Sequence, residues 1–419
     1  MASDRPGDRT IGSDVLMIER LGAQGDGVIA APDEVQFVPF ALPGECWRRT
    51  GEGVFERLSD ALERVEPPCP HFGSCGGCVA QHMSDALYAQ WKTALVRQAL
   101  AHQGIDIELQ PLWRAAPGSR RRLTLSAEMA DGRIRLGFRA TRSHVLVEIG
   151  ACTIAAPEIV ASLPVFGHVM AEIAGGDPLP TETRLHVLCA DNGIDVLVSG
   201  TNKRLSAAAR ERLAGIAQCG GILRLTVGSD EIYQSAHPVL QVAGADLRVP
   251  AGVFVQAVAA AETVMADAVV KALGRARRVA DLFCGLGTFA VPIARRARVM
   301  AVDNQPEAVA ALADAIRHTQ GLKPVESLRR DLFREPLSRN ELKPFDAVVF
   351  DPPRAGAASQ SEALAKSKVP CIVAVSCNPA TLARDLRTLI DGGYTLHSVT
   401  PIDQFLYSAH IEAIAVLRR

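Results

Sequence analysis

The sequence has no apolar run approaching the roughly 18 to 20 residues that a bilayer-spanning helix requires, so no membrane role is expected. It also lacks the start of an exported chain. MASDRPGDRT carries acids and a proline where a signal peptide needs a basic start and then an apolar stretch, so a cytoplasmic protein is expected. Charge of neither sign is in excess, with 45 Lys and Arg against 46 Asp and Glu and a net charge of -1. That balance argues against simple electrostatic coating of nucleic acid. Internal repeats and low-complexity tracts are absent too. The ten cysteines are poor evidence for disulfides, because the cytoplasm is reducing; clustered ones read better as metal ligands or nucleophiles.

What is present falls into three parts, since 419 residues exceed what one hydrophobic core usually supports. Over 11–65, short apolar stretches alternate with Gly and Pro (VLMIERL, GDGVIA, VQFVPFALPGE), the pattern of a small β-barrel. CPHFGSCGGCVAQH follows, and then DALYAQWKTALVRQALAHQ, whose apolar residues recur at helical spacing after a candidate cap at Ser84. Within 66–255 the stretches RRLTLSAEM, RIRLGFRA, HVLVEIG, RLHVLCA, IDVLVSG and ILRLTVG read as strands, broken by helical patterns near 156–174 and 203–217, so a central α+β domain is expected. Over 256–419, helices alternate with the apolar strands RVADLFC, RVMAVD, DAVVFDPP, CIVAVSC and IEAIAVLRR, which predicts a doubly wound, Rossmann-like α/β domain on a parallel sheet. Local charge departs from the total: between Arg114 and Arg142 eight arginines stand against Glu128 and Asp131, a balance of +6 that is a candidate surface for RNA phosphates.

In the last part, VADLFCGLGTF (279–289) places a buried strand, an acid and a Gly-x-Gly turn before a helix over 290–296. Gly285 and Gly287 permit a tight turn and close approach of a ligand. A second strand ends at Asp303, about sixteen residues beyond Gly287, where a carboxylate can accept hydrogen bonds from ribose hydroxyls. A nucleoside-bearing cofactor is therefore expected. The D-x-F-C-G-x-G-T-F form is similar to that of class I methyltransferases rather than the longer glycine run of nicotinamide enzymes, which points to S-adenosylmethionine.

Asp351-Pro352-Pro353-Arg354 follows an apolar strand, so it lies at a carboxyl strand end, where open α/β folds bind ligands. Its acid can pair with a planar nitrogen heterocycle. Cys377 leaves the end of another buried strand and reaches the same crevice, whereas Cys189, Cys219 and Cys371 fit the reading of small buried hydrophobes. Carbon 5 of uracil is too weak a nucleophile to take a methyl group directly; thiolate addition at carbon 6 produces an enolate that can. A general base must then remove the carbon-5 proton, and Glu412, at the start of the final apolar strand, is the candidate.

With these residues assembled, the chain resembles the RNA uridine-5-methyltransferases of the TrmA, RlmC and RlmD type over nearly its whole length. Ser376 to Asp385 (SCNPATLARD) is similar to the family's nucleophile signature, and Asp403 to Glu412 (DQFLYSAHIE) to its closing signature. One departure is Leu406, where the family usually has proline after the phenylalanine. Phe254-Val255-Gln256 matches a further family segment. The resemblance implies that Cys377 is the nucleophile, that Glu412 is the base, and that Asp351 orients the uracil. It implies cofactor contacts from Gln256, Phe283, Thr288, Asp303 and Asp351, and Gly285 and Asp331 complete the expected set. The N-terminal segment resembles a TRAM domain, a small RNA-binding barrel.

Cys69-x5-Cys75-x2-Cys78, with Cys152 far downstream, offers four thiolates suited to a 4Fe-4S cluster or zinc. Zinc sites commonly show paired C-x2-C knuckles and the second is missing, while irregular three-plus-one spacing is common for iron-sulfur clusters; the family resemblance also implies 4Fe-4S. The expected function is S-adenosylmethionine-dependent methylation of a uridine in RNA, with 23S ribosomal RNA favoured over transfer RNA and a monomer expected. A cytosine methyltransferase would carry proline before the nucleophile, where Ser376 stands. A binding scaffold without catalysis would not need Cys377, Asp351 and Glu412 together.

Overall fold

The computed structural model describes residues 15–30, 35–51, 53–201 and 203–419. Part of the expected N-terminal barrel, at 11–14, 31–34 and 52, lies outside the described residues. The apolar strands of the C-terminal half are buried along their length: Arg278–Leu282 except its first residue, and Ala347–Phe350 and Cys371–Ser376 throughout. Strands buried on both faces call for layers on each side, and the solution is an eight-stranded sheet. Its order is Val325–Arg329, Arg298–Asp303, Arg278–Leu282, Ala347–Phe350, Cys371–Ser376, Glu412–Arg418, Thr395–Asp403 and Trp113–Arg114. The first five run parallel. Their order reverses between Arg278–Leu282 and Ala347–Phe350, and a crevice opens at the carboxyl ends of strands where such a reversal occurs.

The sheet is not parallel throughout, as the strand pattern alone predicts. Glu412–Arg418 runs antiparallel between Cys371–Ser376 and Thr395–Asp403. The physical reason is the short connection between Asp403 and Glu412, which permits a hairpin but no parallel crossover. Register then fixes the site, since Ile402 pairs with Glu412 and Ser376 with Ala413, setting Glu412 beside the strand end that carries Cys377.

Before this lies a seven-stranded sheet, antiparallel except where Gly193–Ser199 runs parallel to Ile222–Val227 through the crossover helix Ala207–Cys219. Helix Leu163–Ala174 buries Phe166, Val169, Met170 and Ile173 against it. Two three-stranded antiparallel sheets make up the N-terminal part, with Ile18, Ile29, Val38, Ala41 and Trp47 buried between them.

Helix Asp85–His102 begins where expected, with the Ser84 hydroxyl accepting from Leu87 N at 3.2 Å. Its packing differs from the expected division at 255. Val96 and Leu100 pack with Leu386, Leu389 and Val399 of the C-terminal layer, and Trp113–Arg114 pairs with Ile402 and Asp403. Helical periodicity reports that a face is apolar; it does not report which sheet covers it. Among the described residues no helix is long and apolar enough to cross a membrane.

Candidate active site

Three strand ends meet around a cavity of about 420 Å³ at the point of strand reversal. The loop after Arg278–Leu282 contributes Phe283, Gly285 and Thr288; that after Ala347–Phe350 contributes Asp351 and Arg354; that after Cys371–Ser376 contributes Cys377. Phe283 has φ of 60° and Gly287 of 95°, and a Cβ on Gly287 would stand 2.4 Å from Leu312, so the turn depends on glycine there. Asp303 lines the same cavity with both carboxylate oxygens engaged, accepting from Gly285 N and Gln305 N at 2.9 Å. Thr288 lines it too, while its hydroxyl donates to Glu262 at 2.9 Å.

Asp351, Gln256, Gln404 and Glu412 form one chain of hydrogen bonds. Gln256 Nε2 donates to Asp351 Oδ2 at 3.3 Å, and Gln404 Nε2 donates to Gln256 Oε1 at 2.8 Å and to Glu412 Oε1 at 3.0 Å. The second Glu412 oxygen is buried without a partner among the described residues. Burial is the main force on both acids, and Glu412 and Asp351 repel one another, so the Glu412 carboxyl lies well above the usual carboxylate range and Asp351 is raised as well. Burial also lifts the Cys377 thiol to about 11, helped by Glu412 and Asp351 and opposed by the Arg354 guanidinium. The resting thiol is therefore protonated at neutral pH.

Arg354 is tied into the same wall. Its Nη2 donates to His410 Nδ1 at 2.6 Å, its carbonyl accepts from Asn378 Nδ2 at 3.0 Å, and burial keeps His410 below the ordinary imidazole range and able to accept. Asp331 does not line the cavity. Its carboxylate accepts from Phe333 N at 3.0 Å, which fixes the turn that brings the Phe333 ring within 5.4 Å of Phe283. Leu406, in the place of the usual proline, is buried in an apolar cluster with Leu42, Met83, Tyr88 and Trp91. Gln404, Arg354 and Phe333 carried no role in the sequence reading. Gln404 stands eight residues before Glu412, and only the hairpin register brings the two side chains together.

A second cavity, of about 480 Å³, shares Phe405 and His410 with the first and is lined by Cys69, Cys75, Cys78 and Cys152. All ten cysteines are free thiols. The cysteine loop is sewn to the seven-stranded sheet by Gly76 N, which donates to Arg139 O at 3.0 Å, and by His71 Nε2, which accepts from Gly150 N at 3.3 Å. Burial raises Cys75 and Cys152 and pushes Cys78 up to about 12. Among the described residues no three His, Cys, Asp or Glu side chains are placed to hold a metal ion.

The arginine-rich stretch is more neutral in space than in sequence. Arg114, Arg133, Arg135, Arg139 and Arg142 pair with acids, and Arg121 turns inward to Glu262. Strand alternation sends Arg120 and Arg122 the other way, into the cysteine-lined cavity, where they have no acidic partner among the described residues. The Arg122 guanidinium lies 4.5 Å from the Phe254 ring centroid, and burial brings it down to about 10.

A parallel array of five strands with its crevice at the reversal point makes a doubly wound α/β fold. The solved Pyrococcus abyssi tRNA (uracil-54, C5)-methyltransferase in complex with S-adenosyl-L-homocysteine shares that fold, with a TM-score of 0.76 and 21% identity, covering 97% of this chain and 100% of that one. The tRNA (uracil-5-)-methyltransferase family model matches residues 223–419. An uncharacterized RNA methyltransferase of Brucella suis biovar 1 is 45% identical over 409 residues, 96% of this chain and 97% of its own. The 23S rRNA (uracil(1939)-C(5))-methyltransferase RlmD of Edwardsiella ictaluri is 34% identical over 437 residues, 98% and 97% of the two chains. The chain belongs to the RNA (uracil-5-)methyltransferase family, as its two signatures led one to expect.

Proposed function

We propose that the protein transfers a methyl group from S-adenosylmethionine to carbon 5 of a uridine in RNA, with Cys377 as nucleophile, Glu412 as base and Asp351 orienting the uracil. The observation that carries this reading is one cavity holding a thiol and two mutually repelling acids at the strand-reversal point. S-adenosylmethionine, when bound, supplies an electrophilic methyl group. Gln256, Phe283, Gly285, Thr288, Asp303 and Asp351 would hold it, with Asp331 acting at one remove through Phe333.

Cys377 must first lose its proton to water in the open cavity, which the Arg354 guanidinium favours. The thiolate then adds to carbon 6 of the uracil, and the electron pair of the carbon 5–carbon 6 bond moves towards the carbon-4 oxygen. Carbon 5 of that enolate would accept the methyl group, the broken carbon–sulfur bond leaving its pair on the sulfur of S-adenosylhomocysteine. Glu412 takes the carbon-5 proton; the released pair re-forms the ring double bond and expels the Cys377 thiolate. A carboxyl held above its usual range suits this task, because a base works best with its pKa near the working pH.

Cys69, Cys75, Cys78 and Cys152 would hold a 4Fe-4S cluster. In support, the four line one cavity, and a cluster would draw them closer together than the described residues hold them. The cluster would pin the loop, since methyl transfer moves no electron. A three-part organisation in which residues 85–114 pack on the C-terminal sheet, a TRAM-like barrel in the N-terminal sheets, a monomer and a cytoplasmic location complete the reading. Ribosomal RNA of the 23S type is favoured by the Edwardsiella ictaluri relative, which matches end to end at 34% identity.

The test is incubation of anaerobically purified protein with labelled S-adenosylmethionine and unmodified RNA containing 5-fluorouridine. A methylated, denaturation-resistant protein–RNA adduct is expected, lost in Cys377→Ala, and the trapped RNA names the substrate. No adduct with any RNA, although the cofactor binds, would sink the reading.

A further inference from the structure

Behind the reactive cavity lies a buried charge that the reaction does not use. Lys92, on helix Asp85–His102, is fully buried, as is Asp403, and their charged groups stand 2.7 Å apart. Removing both ions from water is costly and is offset only when the geometry also satisfies their remaining bonds. That condition holds for Lys92, whose ammonium donates to the carbonyl oxygens of Phe405 and His410. One turn earlier on the same helix, the Tyr88 hydroxyl donates to the other Asp403 oxygen and accepts from Tyr407 N at 2.8 Å. Val79 N, next to Cys78, donates to Tyr407 O at 2.8 Å.

All these anchors converge on 403–410. Tyr407 has φ of 59°, a left-handed conformation that side chains other than glycine and asparagine seldom adopt, so the loop follows a path that must be held. Its ends carry Gln404 and Glu412, and its middle presents Phe405 and His410 to the cavity, while Lys92 itself does not line it. We propose that Lys92 is a positioning residue for methyl transfer: through Asp403 and two backbone carbonyls it holds the 403–410 loop so that Gln404 and Glu412 keep their places beside Asp351. The proposal rests on the reading of Glu412 as the base, and it makes the helix after the cysteine loop part of the catalytic apparatus.

Lys92→Met keeps the side-chain stem and removes the charge. Turnover on unmodified RNA should fall on the order of a hundredfold, the effect of a displacement of about 1 Å at the reacting groups, while S-adenosylhomocysteine binds as before. Adduct formation should survive better than turnover, so that the methylated covalent intermediate accumulates even with ordinary uridine. Amide hydrogen exchange across 403–412 should accelerate, and Lys92→Arg should recover part of the rate. Should Lys92→Met not fold, the double variant Lys92→Met with Asp403→Asn, which leaves no lone buried charge, carries the same test. Turnover and exchange unchanged from the parent would overturn the proposal. So would an equal loss at every step without accumulation, which would mark a merely structural residue. If Glu412→Gln fails to accumulate the adduct, the assignment of the base has failed, and exchange across 403–412 still decides whether Lys92 holds the loop.

Discussion

The two cavities share a wall and differ in how their reactive groups are held. In the reactive one, side-chain amides tie the two acids together: Gln256 serves Asp351 and Gln404 serves Glu412. In the other, four thiols face a common space and are tied mainly to their own loops, as Cys75 Sγ is by accepting from Gly77 N at 3.4 Å. The first is organised before any ligand arrives, whereas in the second the thiols share a cavity without yet being placed as a ligand set among the described residues. A site that must act on many successive substrates gains from preorganisation. A site that takes a ligand once can leave the last ordering to that ligand.

Glu412→Gln would break the reactive side hardest. Turnover should fall about 10²- to 10⁴-fold, the usual contribution of a general base, and the covalent adduct should build up on a denaturing gel. The same change should stabilise the fold. A carboxyl whose folded pKa exceeds its unfolded one binds more protons when folded, so stability falls as pH rises from the unfolded value through the folded one. The gain from Gln should vanish near pH 4 and reach on the order of 1 to 3 kcal/mol above neutrality, measured as thermal unfolding across pH.

Cys78→Ser tests the other side. Iron and sulfide content should drop, and protease should cut within 69–83 sooner than in the parent, while S-adenosylhomocysteine affinity stays unchanged. Loss of that affinity instead would show that the two cavities are not organised independently. The smallest effect is expected from Asp351→Asn on the thiol. Removing one of the acids that face Cys377 lowers its pKa, so the pH profile of iodoacetamide alkylation should move to lower pH, though only in part, because burial is the larger cause.

Much of this was legible in the chain. The Gly-x-Gly turn, the Asp-Pro-Pro-Arg loop and Cys377 each follow an apolar strand, and a strand end is a place that pattern can locate. The Ser84 cap and the helix after it were legible for the same reason, being local. The hairpin that turns Glu412–Arg418 antiparallel was not, because a run of apolar residues has no direction written in it. Nor was the pairing of Gln404 with Glu412, or the burial of Lys92, whose side chain reads in sequence as a solvated charge on an amphipathic helix. The spatial balance of charge was not legible either: the +6 of the 114–142 stretch, in which Glu128 and Asp131 are already counted, is reduced by Asp85, Glu262, Glu148 and Asp26, which only the fold brings near.

The short strand Trp113–Arg114 and the helix before it bear on how such a protein can be divided. A chain cut before residue 256 would keep every residue proposed to carry the chemistry, yet it would bare Leu386, Leu389 and Val399 and leave Asp403 as an unmatched anion inside an apolar layer. Such a fragment should aggregate rather than work as a minimal catalyst. For the same reason, a chimaera that takes its catalytic half from this chain should fold best when residues 85–114 come with it.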